Sequence, residues 1–221
     1  MSDESRDTEA TADVPLRWAS CPVGLNVDKL RADVALAYES IARSPEADHS
    51  FNHGGDYAVE LLRYDRAELE TLPRACTDAF AGVANPHRIG PIRPGETVLD
   101  IGCGGGMDLL LSARKVGPGG RAIGVDMTAA MRDVARRAAE TLGFGERVDI
   151  RDGVAEKLPV DDASVDVVQS NGVLNLVPDK IQAFREIARV LKPGGRLHLG
   201  DTTVATALKD DERANIDLWA A

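Results

Sequence analysis

Short apolar runs alternate with longer amphipathic segments between residues 97 and 200 of the chain. The runs have the length and the β-branched content of buried strands, and the apolar residues between them recur at helical spacing. This alternation is typical of a parallel sheet whose strands are joined by crossover helices. Five strands are predicted at residues 97–101, 121–126, 147–151, 165–170 and 196–200. We therefore expect an α/β fold with helices on both faces of the sheet.

Turn and cap signals locate the ends of the connecting helices. The first helix is predicted to end near Val116, before a glycine-rich run, and the second to extend from a Thr128 cap to Gly143. The third is stopped by the sequence KPGG at residues 192–195. The apolar stripes of the last two are predicted to lie in the core, and they comprise Met131, Val134, Ile181, Phe184, Ile187, Ala188 and Leu191.

The chain before the sheet is predicted to be helical. An amphipathic helix begins with a cap at Asp28 and ends before Pro45, and two short helices follow near residues 58–62 and 65–72. Residues 1–14 are polar and acidic and are expected to be disordered. We therefore predict a disordered tail at 1–14, a helical cap at 15–90 and a ligand-binding core at 91–221, with a last helix at about 210–219.

A glycine loop between the first strand and its helix carries the clearest chemical signal. It begins at Asp100 and contains Gly102, Gly104 and Gly106, and such loops let a ligand approach bare backbone at a helix start. A dinucleotide site would require a third glycine where this chain has Met107. Asp100 would repel a pyrophosphate but attract the ammonium and sulfonium of S-adenosylmethionine. Asp126, at the end of the second strand, can accept hydrogen bonds from ribose hydroxyls.

Composition and charge restrict the class of partner. The chain has 221 residues, 43% of them hydrophobic, and a net charge of -10, which suits one globular domain that binds a small molecule. Nucleic acid and anionic membranes are not expected as partners, because both require clustered Lys and Arg. No membrane span or secretory signal is visible, so we expect a cytoplasmic protein. Its three cysteines indicate free thiols, and no metal site is predicted.

From about residue 93 to residue 201 the chain resembles class I S-adenosylmethionine-dependent methyltransferases. The resemblance is carried by VLDIGCGGG at 98–106, GVDMT at 124–128, AEKLP at 155–159 and LKPGGR at 191–196. It implies a Rossmann-like fold, Met127 beside the adenine, residues 153–155 around its amino group, and Ser170 and Asn171 beside the reacting centre. Many relatives have Asp where this chain has Val154, so that contact would use the backbone.

Charge complementarity and resemblance together give a set of site residues. The predicted contacts to the cofactor are Asp100, Gly102, Cys103, Gly104, Gly106, Asp126, Met127, Gly153, Val154, Ala155, Ser170 and Asn171. Methyl transfer from a sulfonium needs positioning more than it needs a base. The candidates for a catalytic contact to the acceptor are Asn171, Asn175, His53 and Tyr57, with His49 and Tyr38 as further cap residues.

A second resemblance, to arsenite methyltransferases, covers the chain from about residue 65 to its end. It rests on AFAGVANP at 79–86 and SNGVLNLVPDK at 170–180. In that family, thiols that bind arsenic lie in these two segments, where this chain has Val83 and Gly172, and a third would follow Ala221. Soft thiolate ligands are what arsenic chemistry needs. The preferred hypothesis is therefore a methyltransferase for a small-molecule acceptor, with arsenite methylation as the alternative.

The number of strands leaves a further alternative open. The resemblance implies seven strands, whereas five are predicted here, and the missing antiparallel pair would cover one sheet edge. Either the chain is truncated at its carboxyl end, or another subunit covers this edge in a homodimer. A protein that binds the cofactor without turnover is the remaining alternative.

Overall fold

A five-stranded sheet organises the computed structural model, which describes residues 22, 24–47, 49 and 52–203. All neighbouring strands are parallel, and their order is β3-β2-β1-β4-β5. The strands are β1 (Thr97–Ile101), β2 (Arg121–Asp126), β3 (Val148–Asp152), β4 (Val165–Asn171) and β5 (Leu191–Gly200). The predicted α/β fold is confirmed, with β3 shifted by one residue and β4 extended by one, whereas β5 begins at Leu191, five residues before the predicted start.

The central position of β1 locates a crevice. From β1 the chain adds β2 and β3 on one side, and β4 and β5 are then added on the other. The connections therefore reverse direction at β1, and ligands of open α/β sheets bind at such a point, outside the carboxyl ends of the strands. Asp100 of β1 lies opposite Gly124 of β2 at this end of the sheet.

Seven α-helices and two short 3₁₀-helices, Pro86–Arg88 and Leu174–Leu176, are present in the described part of the chain. The α-helices are α1 (Val27–Arg43), α2 (Gly55–Glu60), α3 (Arg66–Leu69), α4 (Arg74–Asp78), α5 (Met107–Val116), α6 (Ala129–Thr141) and α7 (Lys180–Val190). The short helices differ from the prediction, because α3 ends at Leu69 and a separate α4 follows Pro73. Asn26, rather than the predicted Asp28, caps α1, since its side chain accepts a hydrogen bond from the Lys29 amide.

Helices cover both faces of the sheet. On one face, α5 and α6 pack with residues from α1 to α4 in a single apolar cluster that includes Ile41, Leu110 and Met131. On the other face, Ile187 of α7 packs in a cluster with Leu99 and other residues of the strands. None of the described helices has the length and apolar character needed to cross a bilayer.

The buried face of α7 differs from the predicted one at Phe184. Ala183, Ile187 and Val190 are buried at a spacing of four and three residues, as one helix face requires. Phe184 is 44% exposed, because it lies one residue beyond this stripe and is rotated by about 100° around the helix. Leu191 belongs to β5, where it pairs with Val165. The predicted tail at 1–14 and helix at 210–219 lie outside the described residues.

Candidate functional site

A pocket of about 1070 Å³, including the part open to solvent, lies at the carboxyl ends of β1, β2 and β4. Three parts of the chain form it. The glycine loop after β1 and the residues after β2 form one end, which we call the loop end. Residues 80–84, which we call the wall segment, face residues 171–173 at the end of β4. Phe80, Ala81 and Gly82 of this segment line the pocket together with residues 171–173 and form its other end, the wall end. Leu30, Arg31 and Val34 of α1 line it as well.

Glycine is needed at two positions of the loop for different structural reasons. Gly106 is the residue before α5 and has a φ of 91°, and a Cβ there would lie 2.9 Å from the Cβ of Ala135 in α6. Gly104 has a φ of 51°, and nothing lies within 4 Å of the position of its absent Cβ. Gly106 thus permits close helix packing, whereas Gly104 leaves open space in the pocket.

Asp126 organises the loop end through backbone hydrogen bonds. Its Oδ2 accepts from the Gly104 amide at 2.9 Å, and its Oδ1 accepts from the Thr128 amide at 2.8 Å. Burial raises the pKa of Asp126, and these hydrogen bonds oppose that effect. A carboxylate oxygen can accept a second hydrogen bond, so both oxygens remain able to accept from a pair of ligand hydroxyls.

Asp100 lines the pocket with one carboxylate oxygen that lacks a hydrogen-bond donor. It is fully buried, and its Oδ2 accepts no hydrogen bond from the described residues. Burial raises its pKa well above the usual value, and the nearby charges of Asp108 and Asp126 raise it further. A cationic donor in the pocket would supply the missing hydrogen bond and reverse this electrostatic effect. The residues present therefore fit an ammonium group.

The charges around the pocket are mostly negative. Asp100, Asp108, Asp126 and Glu156 line it, and the guanidinium of Arg31 lies 3.2 Å from the Glu156 carboxylate. Among the described residues, no group of three or more His, Cys, Asp or Glu side chains is arranged to hold a metal ion. The acidic lining of the pocket is suited to a cationic ligand.

Most of the predicted cofactor contacts line this one pocket. These residues are Asp100, Gly102, Cys103, Gly104, Asp126, Met127, Gly153, Val154, Ala155 and Asn171. Gly106 and Ser170 do not line it; Gly106 precedes α5, and Ser170 is buried in β4. Met127 packs against the apolar residues of α1, so that helix covers the segment predicted to contact adenine.

The candidate catalytic residues are dispersed. Asn175, His53 and Tyr57 do not line the pocket. The imidazole of His53 donates to the Pro45 carbonyl at 2.7 Å, and its ring lies 4.8 Å from that of His49. Tyr38 does line the pocket, but burial first, then the charges of Asp126 and Asp201, raises its pKa to about 12. Its hydroxyl is therefore protonated at neutral pH and is not a general base.

Asn171 lies at the wall end with both atoms of its amide engaged by protein. Its Oδ1 accepts from the amides of Val83 and Ala84 at 2.8 and 3.0 Å. Its Nδ2 lies 2.8 Å from the Ala84 carbonyl and 2.9 Å from Asp108 Oδ2. These four contacts use both donor hydrogens and both acceptor lone pairs of the Asn171 amide, so none is left to bind a substrate.

The two described thiols line the pocket but are poor ligands. Cys76 donates to the Pro73 carbonyl at 3.0 Å, and burial raises its pKa to about 12. Burial also raises the pKa of Cys103 well above its usual value. Both are therefore thiols and not thiolates at neutral pH. Val83 and Gly172 face each other, since a Cβ at Gly172 would lie 3.3 Å from Val83 Cγ1.

Sequence reasoning missed the buried partners of Asn171. Asp108, in the first turn of α5, accepts from the Tyr64 hydroxyl at 2.8 Å and lies 3.1 Å from His87 Nε2. A carboxylate between Met107 and the apolar run at 109–111 was the available signal. Its partners lie 21 to 63 positions away, so local spacing could not identify them.

Similar proteins were found in sequence and in structure. An arsenite methyltransferase of Halobacterium salinarum is 41% identical over 158 residues, which are 72% of this chain and 40% of that protein. An arsenite methyltransferase of Mus musculus is 31% identical over 204 residues, 88% of this chain and 53% of that protein. The chain thus spans about half the length, or less, of these relatives.

A solved structure and a family profile extend this result. The crystal structure of an arsenic(III) S-adenosylmethionine methyltransferase from Chlamydomonas reinhardtii is 36% identical, with a TM-score of 0.62 over 69% of this chain and 53% of that one. The profile of a family described as a methyltransferase domain matches residues 92–220. Because that match extends over more than half of the chain, the chain belongs to the methyltransferase domain family.

Proposed function

We propose that the protein is an S-adenosylmethionine-dependent methyltransferase that acts on a small-molecule acceptor by in-line methyl transfer. The observation that carries the proposal is a pair of carboxylates, the buried Asp100 and the partly buried Asp126, which lie at the carboxyl ends of adjacent strands and line one pocket with the glycine loop. A cation is the complement that such a pair requires. The acidic net charge of -10 supports a small molecule rather than a nucleic acid as the partner.

The ammonium group, the ribose and the adenine of the cofactor each have a partner in this arrangement. Asp100 Oδ2 is the acceptor for the ammonium group, because no described residue donates to it. The two oxygens of Asp126, fixed by Gly104 and Thr128, accept from the ribose hydroxyls. The backbone of Gly153, Val154 and Ala155 faces the adenine, and Met127 contributes an apolar surface.

The cofactor supplies an activated methyl group on a sulfonium, and the protein supplies position. Reacting atoms held about 3 to 3.5 Å apart and in line account for much of the acceleration that such sites give. Val173, Leu176 and Val177 line the pocket with apolar side chains that exclude water from it.

A thermal-shift titration tests the proposal. S-adenosylmethionine and S-adenosylhomocysteine are expected to raise the unfolding midpoint, because both bind the folded state. NAD is expected to give no shift, and a shift with NAD alone would establish a dinucleotide site instead. The variant Asp100→Asn keeps the shape of the side chain but removes its charge, and it is expected to lose most of the shift.

Arsenite is the second candidate acceptor, because two relatives and one solved structure with this fold are named as arsenic methyltransferases. The chain has Val83 and Gly172 at two facing positions where a thiol pair would be needed, and this favours another acceptor. Incubation with labelled methyl donor and either arsenite or a panel of hydroxyarenes distinguishes the two. Labelled methylarsenic would establish the arsenite reading. Binding of the cofactor without any product would support a protein that binds but does not turn over.

A further inference from the structure

A buried polar network connects the start of α5 to the wall segment. The carboxylate of Asp108 is buried at the helix start, where the helix dipole favours a negative charge. It accepts from Tyr64 and from Asn171, at 2.8 and 2.9 Å. The Tyr64 hydroxyl also lies 3.0 Å from the Ala84 carbonyl. The glycine loop and the wall segment are thus tied through one carboxylate.

Asn171 holds the wall segment as a neighbouring strand would. Its side-chain amide bonds with the Val83 amide and with both the amide and the carbonyl of Ala84. The fit is close, because a Cβ at Gly82 would lie 2.3 Å from Asn171 Nδ2. A Cβ at Gly200 of β5 would lie 2.4 Å from the Ala84 methyl. The wall segment therefore has little freedom to move while Asn171 stays in place.

We propose that Asn171 and Asp108 are positioning residues that fix the wall of the acceptor site, and that Asn171 neither contacts the cofactor nor takes part in proton transfer. This inference rests on the proposed function, according to which the pocket binds a methyl acceptor. It assigns a task to Asp108, which comes directly after the glycine loop but accepts hydrogen bonds from the opposite side of the pocket. The cofactor and the acceptor are thereby held by parts of one rigid unit.

Hydrogen exchange and binding test the proposal on the full chain. In Asn171→Ala, the amides of Val83 and Ala84 lose their acceptor and are expected to exchange at least tenfold faster, which corresponds to about 1.4 kcal/mol. The Kd of S-adenosylhomocysteine is expected to change less than threefold. With any acceptor from the panel that the wild type methylates, KM is expected to rise at least tenfold while kcat falls less.

Rescue separates positioning from general loss of structure. Asn171→Asp keeps an acceptor for the Val83 and Ala84 amides but places a second carboxylate against Asp108 and against the Ala84 carbonyl. It is expected to raise the acceptor KM as the Ala variant does, with a smaller rise in exchange. Adding Asp108→Asn restores a donor opposite the new carboxylate, so the double variant is expected to recover slow exchange and part of the acceptor KM. Asn52→Ala, at an exposed asparagine that does not line the pocket, is the matched control and is expected to change neither quantity.

Two results would overturn the proposal. One is unchanged exchange at Val83 and Ala84 in Asn171→Ala, which would show that the side chain does not hold the wall. The other is a tenfold or greater loss of S-adenosylhomocysteine affinity in that variant, which would make Asn171 a cofactor contact. If the wild type binds no S-adenosylhomocysteine, the proposed function fails, whereas the exchange result still decides whether Asn171 fixes the wall segment.

Discussion

The loop end and the wall end of the pocket are built from the chain in different ways. The loop end comes from short stretches after adjacent strands, and Asp126 fixes it by accepting from Gly104, 22 positions away. The wall end joins β4 to a segment 88 positions earlier, through the hydrogen bond from Val83 to Asn171. A contact that is local in sequence appears as a motif, whereas one between distant segments does not. The loop end can therefore be predicted from the sequence, whereas the wall end becomes visible only in the fold.

Asp126→Ala is expected to have the largest effect, and on the loop end alone. It removes two charge-assisted acceptors for ribose hydroxyls, so S-adenosylhomocysteine is expected to bind about 100-fold more weakly, or about 3 kcal/mol. Isothermal titration calorimetry measures this directly. Asp152→Ala is the matched control, since Asp152 ends the next strand but its side chain is 73% exposed. Equal losses in the two variants would contradict the assignment of Asp126.

Alanine substitution at two glycines of the loop end adds the same methyl group but is expected to affect different properties, namely stability at Gly106 and cofactor binding at Gly104. Gly106→Ala forces a left-handed backbone and a contact with Ala135, so the free energy of unfolding is expected to fall by about 2 to 4 kcal/mol. Gly104→Ala meets open space and is expected to lose only about 1 kcal/mol. Its methyl group enters the pocket, however, and is expected to weaken cofactor binding at least tenfold. Urea unfolding and calorimetry separate the two effects, and equal stabilities would contradict the geometry.

The wall end offers a gain-of-function test of the arsenite alternative. Val83→Cys with Gly172→Cys places two thiols on facing positions, where a Cβ at residue 172 lies 3.3 Å from the Val83 side chain. Arsenite is soft and prefers thiolate ligands, so the double variant is expected to bind it at least tenfold more tightly than the wild type or either single variant. The left-handed backbone at Gly172 is expected to lower stability by about 1 to 2 kcal/mol. Tight arsenite binding by the wild type would instead show that the existing residues suffice.

The sequence predicted the loop end better than the wall end for a physical reason. The positions of Asp100 and Asp126 follow from strand length, because both end a strand at the same edge of the sheet. The amide of Asn171 was predicted to contact the cofactor or the acceptor, and only the fold showed that Val83, Ala84 and Asp108 engage it. The error at Phe184 has a local cause, since a helical stripe one residue out of phase still contains mostly apolar positions.

The smallest expected effect lies behind the wall end and concerns pH. His198 of β5 is buried, and burial first, then the charges of Arg196 and His87, lower its pKa from 6.5, while Glu96 opposes them. The folded protein therefore binds this proton less readily than the unfolded chain does. Its contribution to stability is present above pH 6.5 and is lost as the pH falls through the folded-state pKa.

His198→Gln removes this titrating group while it keeps a polar side chain of similar length. The variant is expected to lose less of its unfolding free energy than the wild type between about pH 7.5 and about pH 5.5, as measured by urea unfolding at both values. The loop end titrates in the opposite sense, because burial raises the pKa of Asp100 and of Asp126, so acid favours their neutral forms in the folded protein. An unchanged pH dependence in His198→Gln would therefore assign the loss of stability in acid to groups other than His198. The expected difference in pH response between this region and the loop end would then be contradicted.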